Sequence, residues 1–72
     1  SVLAQGLFRA RRKTIRNNVP AAAVALEVPA ETVAAAVTAG GFDLGDRPES
    51  IPPAGYARIA RLLPGSGGAG PD

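Results

Sequence analysis

Apolar side chains recur along residues 2–18 at the spacing of an α-helix. Projected at ~100° per residue, Leu3, Ala4, Leu7, Phe8, Ile15 and Val19 fall on one continuous side of such a helix. Arg9, Arg12, Lys13 and Arg16 share an adjacent arc of roughly 100°. Pro20 disfavours helical geometry in the residue before it, so this first helix is expected to end or bend at Val19. Residues 20–27 are alanine-rich and read as helical, with Pro20 in a first turn. A second clear helix is expected from Pro29 to Ala39. Val33 and Val37 face inward there, Glu31 lies in the favourable first turn, and Gly40-Gly41 forms the stop, one glycine supplying the left-handed cap. Residues 42–53 are turn-rich, with Phe42, Leu44 and Ile51 as anchors to the core. Tyr56, Ile59, Ala60 and Leu63 then set the inward face of a last helix starting at Pro53, with Arg58 and Arg61 pointing away. The segment 64–72 is Gly-rich and reads as a flexible tail. The fold class is all-α, a small bundle of three to five short helices.

Size and composition narrow the chemistry. With 72 residues the chain fits one small domain, at the low end of what a hydrophobic core stabilises unaided. It contains no Cys, His, Met or Trp. A disulfide framework, a thiolate or imidazole metal site and a His-based acid–base pair are therefore excluded. No apolar run is long enough to span a bilayer, and leucines precede arginines at the N-terminus, the reverse of a secretory signal. A cytoplasmic location is the expectation. The chain begins on Ser and enters amphipathic sequence almost at once, which suggests a piece of a longer protein.

No catalytic constellation is expected. The six carboxylates are scattered, and the densest set, Asp43, Asp46 and Glu49, reads as turn capping and salt bridging within a loop. The hydroxyls have no base to activate them. Gly65 to Gly70 follow no strand and open no helix, so they do not form a phosphate-cradling loop.

The positive signal is electrostatic. Five of the eight cations lie between Phe8 and Val19, and no acid precedes Glu27. Most are arginines, suited to bidentate phosphate contact, and they lack the interleaved Glu of a self-neutralising surface helix. Asn17 and Asn18 add neutral donors able to reach sugar or phosphate oxygens. With one Tyr and two Phe, all read as core residues, a base-stacking platform is not expected. Recognition of folded RNA through its backbone geometry fits better. Arg11 falls on the apolar side between Leu7 and Ile15, so it is expected to be partly buried and paired with a carboxylate.

Phe8-x-x-Arg11-Arg12-Lys13-Thr14-Ile15-Arg16-Asn17-Asn18-Val19, then a helix closed by Gly, then Arg47-Pro48-Glu49-Ser50-Ile51, Tyr56 and a closing Ala-Arg-Leu-Leu helix resemble the C-terminal domain of the rRNA adenine dimethyltransferases of the KsgA type. The resemblance covers residues 2–63. It implies an S-adenosylmethionine-dependent enzyme that dimethylates N6 of two adjacent adenosines in small-subunit rRNA. Methyl transfer would belong to an N-terminal Rossmann-like catalytic domain with a glycine-rich cofactor loop and an Asn-x-Pro-Tyr-type motif at the target adenine, neither of which occurs here. By match to the family segment, this piece is expected to be non-catalytic and to dock rRNA through Arg12, Lys13 and Arg16, with Arg9 of the same arc and Asn17 beside them. Arg11 is assigned to an ion pair with Glu49. No metal, cofactor or membrane contact is expected of the piece itself. Pro52-Pro53 departs from the Ser-led cap usual in the family before the last helix.

Three other readings compete. The same domain occurs in macrolide-resistance methyltransferases acting on large-subunit rRNA, although the Arg-Arg-Lys-Thr-Ile-Arg-Asn-Asn wording favours the small-subunit type. A non-enzymatic helix–turn–helix module would need polar base-reading residues on its second helix, where residues 29–39 are nearly all Ala and Val. A membrane-surface helix would need an apolar face left free by the core.

Overall fold

A computed structural model describes residues 2–10 and 12–64. In it α1 spans Val2–Leu7, α2 Ile15–Leu26, α3 Ala30–Ala39 and α4 Pro53–Leu62, with a single 3₁₀ turn at Pro48–Ser50. The all-α class holds, and no strand occurs among the described residues. α1 packs mainly on α2, α2 on α3 and α3 on α4, while α4 closes the bundle against α1.

The single opening helix expected over residues 2–18 is in fact two. α1 stops at Leu7, and the described residues 8–10 and 12–14 lie in turns or irregular backbone before α2 begins. Two causes lie in the sequence. Carried through as one helix, Arg9, Arg12, Lys13 and Arg16 would stand three and four residues apart, where like charges repel. Thr14 and Asn18 also offer the backbone side-chain partners in place of helical ones. Thr14 is the N-cap of α2, extended at φ −71° and ψ 164°, and its hydroxyl accepts a long bond of 3.4 Å from the Asn17 amide.

Nor does Pro20 begin or break a helix, since it lies inside α2. Lacking an N–H, it leaves the Arg16 carbonyl without its helical donor. Arg16 and Pro20 are both exposed, so water can serve that carbonyl and the helix runs on. The buried positions of α2 are Ile15, Asn18, Val19, Ala22 and Ala23, an i, i+3, i+4, i+7, i+8 stripe.

The core joins that stripe to Leu3, Leu7, Val33, Ala36, Val37, Ile51, Tyr56, Ile59 and Leu63. Small residues set the crossing of α1 and α2. A Cβ at Gly6 would lie 2.6 Å from the Ala22 Cα, so only glycine admits this approach. Gly55 plays the same part for the loop, since a Cβ there would lie 2.6 Å from the Phe42 ring and 2.8 Å from Ile51 Cγ2.

Two helices end in the same hydrogen-bonding motif. At α2 the Val28 amide donates to the Ala23 carbonyl at 3.1 Å and the Glu27 amide to the Val24 carbonyl at 3.2 Å, a Schellman closure. At α3 the pair is Phe42 to Val37 at 3.2 Å and Gly41 to Thr38 at 3.0 Å. The left-handed residue is Gly41 in α3, as the sequence suggests, and Glu27 in α2. Past Glu27 the chain bends by 117° into α3. Arg58 does not simply point away from the core: its guanidinium donates to the Gly40 carbonyl at 3.3 Å, where a cation suits the C-terminal end of α3. No single helix among the described residues is long and apolar enough to cross a membrane.

Candidate nucleic-acid interface

The cationic segment is organised by a residue expected to face outward. Asn18 is 2 % exposed, and its amide is directed at the turn rather than at solvent. Its Oδ1 accepts from the Ala10 amide at 3.0 Å. Its Nδ2 donates to the carbonyls of Ala10 at 2.9 Å, Thr14 at 3.0 Å and, more weakly, Lys13 at 3.5 Å. Asn18 thus serves both halves of the Ala10 peptide, which no helix serves there. The Lys13 amide closes the turn on the Ala10 carbonyl at 2.8 Å. Asn18 is therefore a structural clamp and cannot contact a ligand, correcting the expectation that both asparagines donate outward.

Around this clamp, Arg9, Arg12 and Lys13 in the turn and Arg16 and Asn17 in the first turn of α2 are all exposed. They do not form the single helical face expected, because residues 8–10 and 12–14 are not helical, and they surround the turn instead. Arg12 lines a hollow of about 550 Å³ with Phe8, Arg47 and Glu49. Arg16 lines a smaller one, about 200 Å³, on the side of Val19, Pro20, Ala30, Glu31 and Leu44. Arg11, and with it the proposed Arg11–Glu49 pair, lies outside the described residues; Glu49 itself is exposed.

Backbone amides contribute little to this surface. The first N–H groups of a helix commonly bind anions, but in α2 the Ile15 amide donates to the Asp46 carbonyl and the Arg16 amide to the Leu44 carbonyl, both at 2.8 Å. Loop 42–47, held by the Asp43 carboxylate accepting from the Gly45 amide at 2.8 Å, closes that end. An anion here must be met by side chains, chiefly guanidinium groups.

The structure also brings forward two residues that the sequence does not assign to the site. Phe8, read as core, is 37 % exposed. Arg47, singled out in the sequence only within the Arg47-Pro48-Glu49 segment, lines the same hollow as Arg12. The Arg47-Pro48-Glu49 wording was the available signal, since it places a fixed short turn beside the cationic segment. That turn is held from below: the Tyr56 hydroxyl donates to the buried Pro48 carbonyl at 2.7 Å. Burial pushes the Tyr56 phenol up to about 12, with the negative charge of Glu49 adding to the effect.

No group of His, Cys, Asp or Glu able to hold a metal ion occurs among the described residues. No protein-family model, curated protein or solved structure matches this chain.

Proposed function

We propose that the chain is the RNA-docking domain of an S-adenosylmethionine-dependent small-subunit rRNA adenine dimethyltransferase. The observation that carries this reading is the exposed ring of Arg9, Arg12, Lys13, Arg16 and Asn17 around a turn whose main chain is clamped by buried Asn18. Cations presented from a fixed backbone fit the phosphates of a folded RNA without reading bases. The resemblance across residues 2–63 adds the partner domain and the substrate class. Methyl transfer and the cofactor belong to the catalytic domain that the resemblance implies. In this reading the chain's own part is to bind and orient the RNA.

Fluorescence anisotropy with a fully paired RNA hairpin tests the reading. Each phosphate contact contributes about 0.7 to 0.9 to the slope of log affinity against log salt. Lys13→Ala with Arg16→Ala is expected to weaken binding and lower that slope by about 1 to 2. Arg61→Ala, which removes an exposed cation from α4, is expected to leave both nearly unchanged. An equal effect of Arg61→Ala would mean diffuse attraction, and undetectable binding of the hairpin by the wild-type chain would remove the reading.

A further inference from the structure

Phe8 stands between two hollows of different character. Its ring meets Tyr56, with centroids 5.6 Å apart and planes tilted by 36°, yet it keeps 37 % of its surface exposed. On one side is the charged hollow with Arg12, Arg47 and Glu49. On the other is an apolar bay of about 530 Å³ walled by Ala4, Ile51, Pro52, Pro53 and Tyr56. Phe8 and Glu49 line both.

The geometry points to a nucleotide subsite: an unpaired RNA base enters the bay against Phe8, while its flanking phosphates lie on Arg12 and Arg47. This rests on the RNA reading above and adds a preference for unpaired over paired RNA. Three features select the occupant. The bay offers flat apolar walls of a size suited to a small planar group. Two guanidiniums beside one carboxylate leave the adjoining hollow with an excess of positive charge, which suits phosphate. Glu49, an acceptor only when ionised, lies at the seam, where it can take an N–H from the edge of a base and would repel a phosphate placed there. A paired RNA ridge would use the guanidiniums and leave the bay empty. An apolar peptide side chain would fill the bay and have no use for Arg12 and Arg47. Stacking on an aromatic side chain also explains why a large apolar ring is left part-exposed beside arginines.

The test uses the whole 72-residue chain and two RNA hairpins identical except for one bulged adenosine. The wild-type chain is expected to bind the bulged hairpin more tightly, by roughly fivefold or more, the scale of one base–aromatic stack. Phe8→Leu keeps an apolar contact to Tyr56 and removes the aromatic plane, so it should abolish that preference without changing affinity for the paired hairpin. Phe8→Tyr should retain it. Arg47→Ala, in an exposed loop, should weaken the bulged hairpin more than the paired one, and it serves where Phe8→Leu loses its helical circular-dichroism signal. Equal wild-type affinity for the two hairpins would overturn the subsite and leave the RNA reading standing, as would equal loss on both from Phe8→Leu and from Arg47→Ala. Binding to neither hairpin would remove both.

Discussion

The turns that lead into and out of α2 are built from different atoms. Among the described residues the entering turn depends on the Asn18 side chain, whose amide reaches back eight residues to hold Ala10 by both its N–H and its carbonyl. The exit at Glu27 is closed by main-chain bonds alone and needs only a left-handed residue. The entering turn can therefore present Arg9, Arg12 and Lys13, whose side chains make no hydrogen bond to it among the described residues. The exit tolerates a residue poorly suited to its backbone angle, because the bonds that define it belong to no particular side chain. Where side chains must stay free for a ligand, the scaffold has been assigned to a different residue.

That contrast can be broken most directly at Asn18. Asn18→Leu keeps the volume and deletes the Asn18 side-chain bonds to the turn, leaving the Ala10 N–H without its partner and the Ala10 carbonyl with the Lys13 amide alone. The expected loss is about 3 kcal/mol or more, a large part of what a domain this small possesses, read by urea denaturation. A loss below about 1 kcal/mol would show that the turn stands without its clamp.

A smaller effect tests the support beneath the neighbouring turn at Pro48. Tyr56→Phe removes the shorter of two bonds to the Pro48 carbonyl, leaving the Ile51 amide at 3.2 Å, and should cost about 1 kcal/mol. Because the folded state holds the phenolic proton up to about pH 12, against an ordinary value near 10, Tyr56 contributes fully below pH 10. The folded state binds more protons than the unfolded between those limits, so that contribution is lost as pH rises from about 10 to 12. Stability measured across that range should fall more steeply for the wild-type chain than for Tyr56→Phe. The single Tyr of the chain allows ionisation to be followed by phenolate absorbance, and parallel pH profiles would sink the assignment.

The smallest effect has the opposite sign. Glu27 sits at φ 60°, a left-handed conformation that costs a non-glycine residue about 1 kcal/mol. Glu27→Gly should stabilise by about 0.5 kcal/mol once the greater freedom of glycine in the unfolded chain is set against that relief. Gly41→Ala, in the matching closure of α3 at φ 94°, should destabilise by about 1 kcal/mol. Thermal unfolding of the two variants checks both signs.

The α3–α4 half was legible because its signals are local. Val33 and Val37 at helical spacing, the Gly40-Gly41 stop and the Pro53 start each mark their element without reference to the rest, and Phe42, Leu44 and Ile51 do anchor the loop. The α1–α2 half was not. Its apolar positions stay in phase across the 8–14 turn, so periodicity alone draws one continuous helix where charge repulsion and the Thr14 and Asn18 side chains produce two. Pro20 misleads for a related reason, since its damage depends on whether the Arg16 carbonyl can reach water. Of the candidate site, the exposed cations were visible as charge density. Phe8 and Arg47 were not, because exposure beside a partner eight or more residues away is set by packing.

The contact of Gly6 with Ala22 reaches further than the core. It leaves α1 and α2 a single way to cross, while Asn18 holds the main chain at Ala10, Lys13 and Thr14, so these parts of the basic loop are positioned before any anion arrives. On the proposed RNA reading, docking would order mainly guanidinium arms, which would keep the entropic penalty of association low. A methyl group at residue 6 would shift α1 on α2 and re-aim the cations without altering one of them.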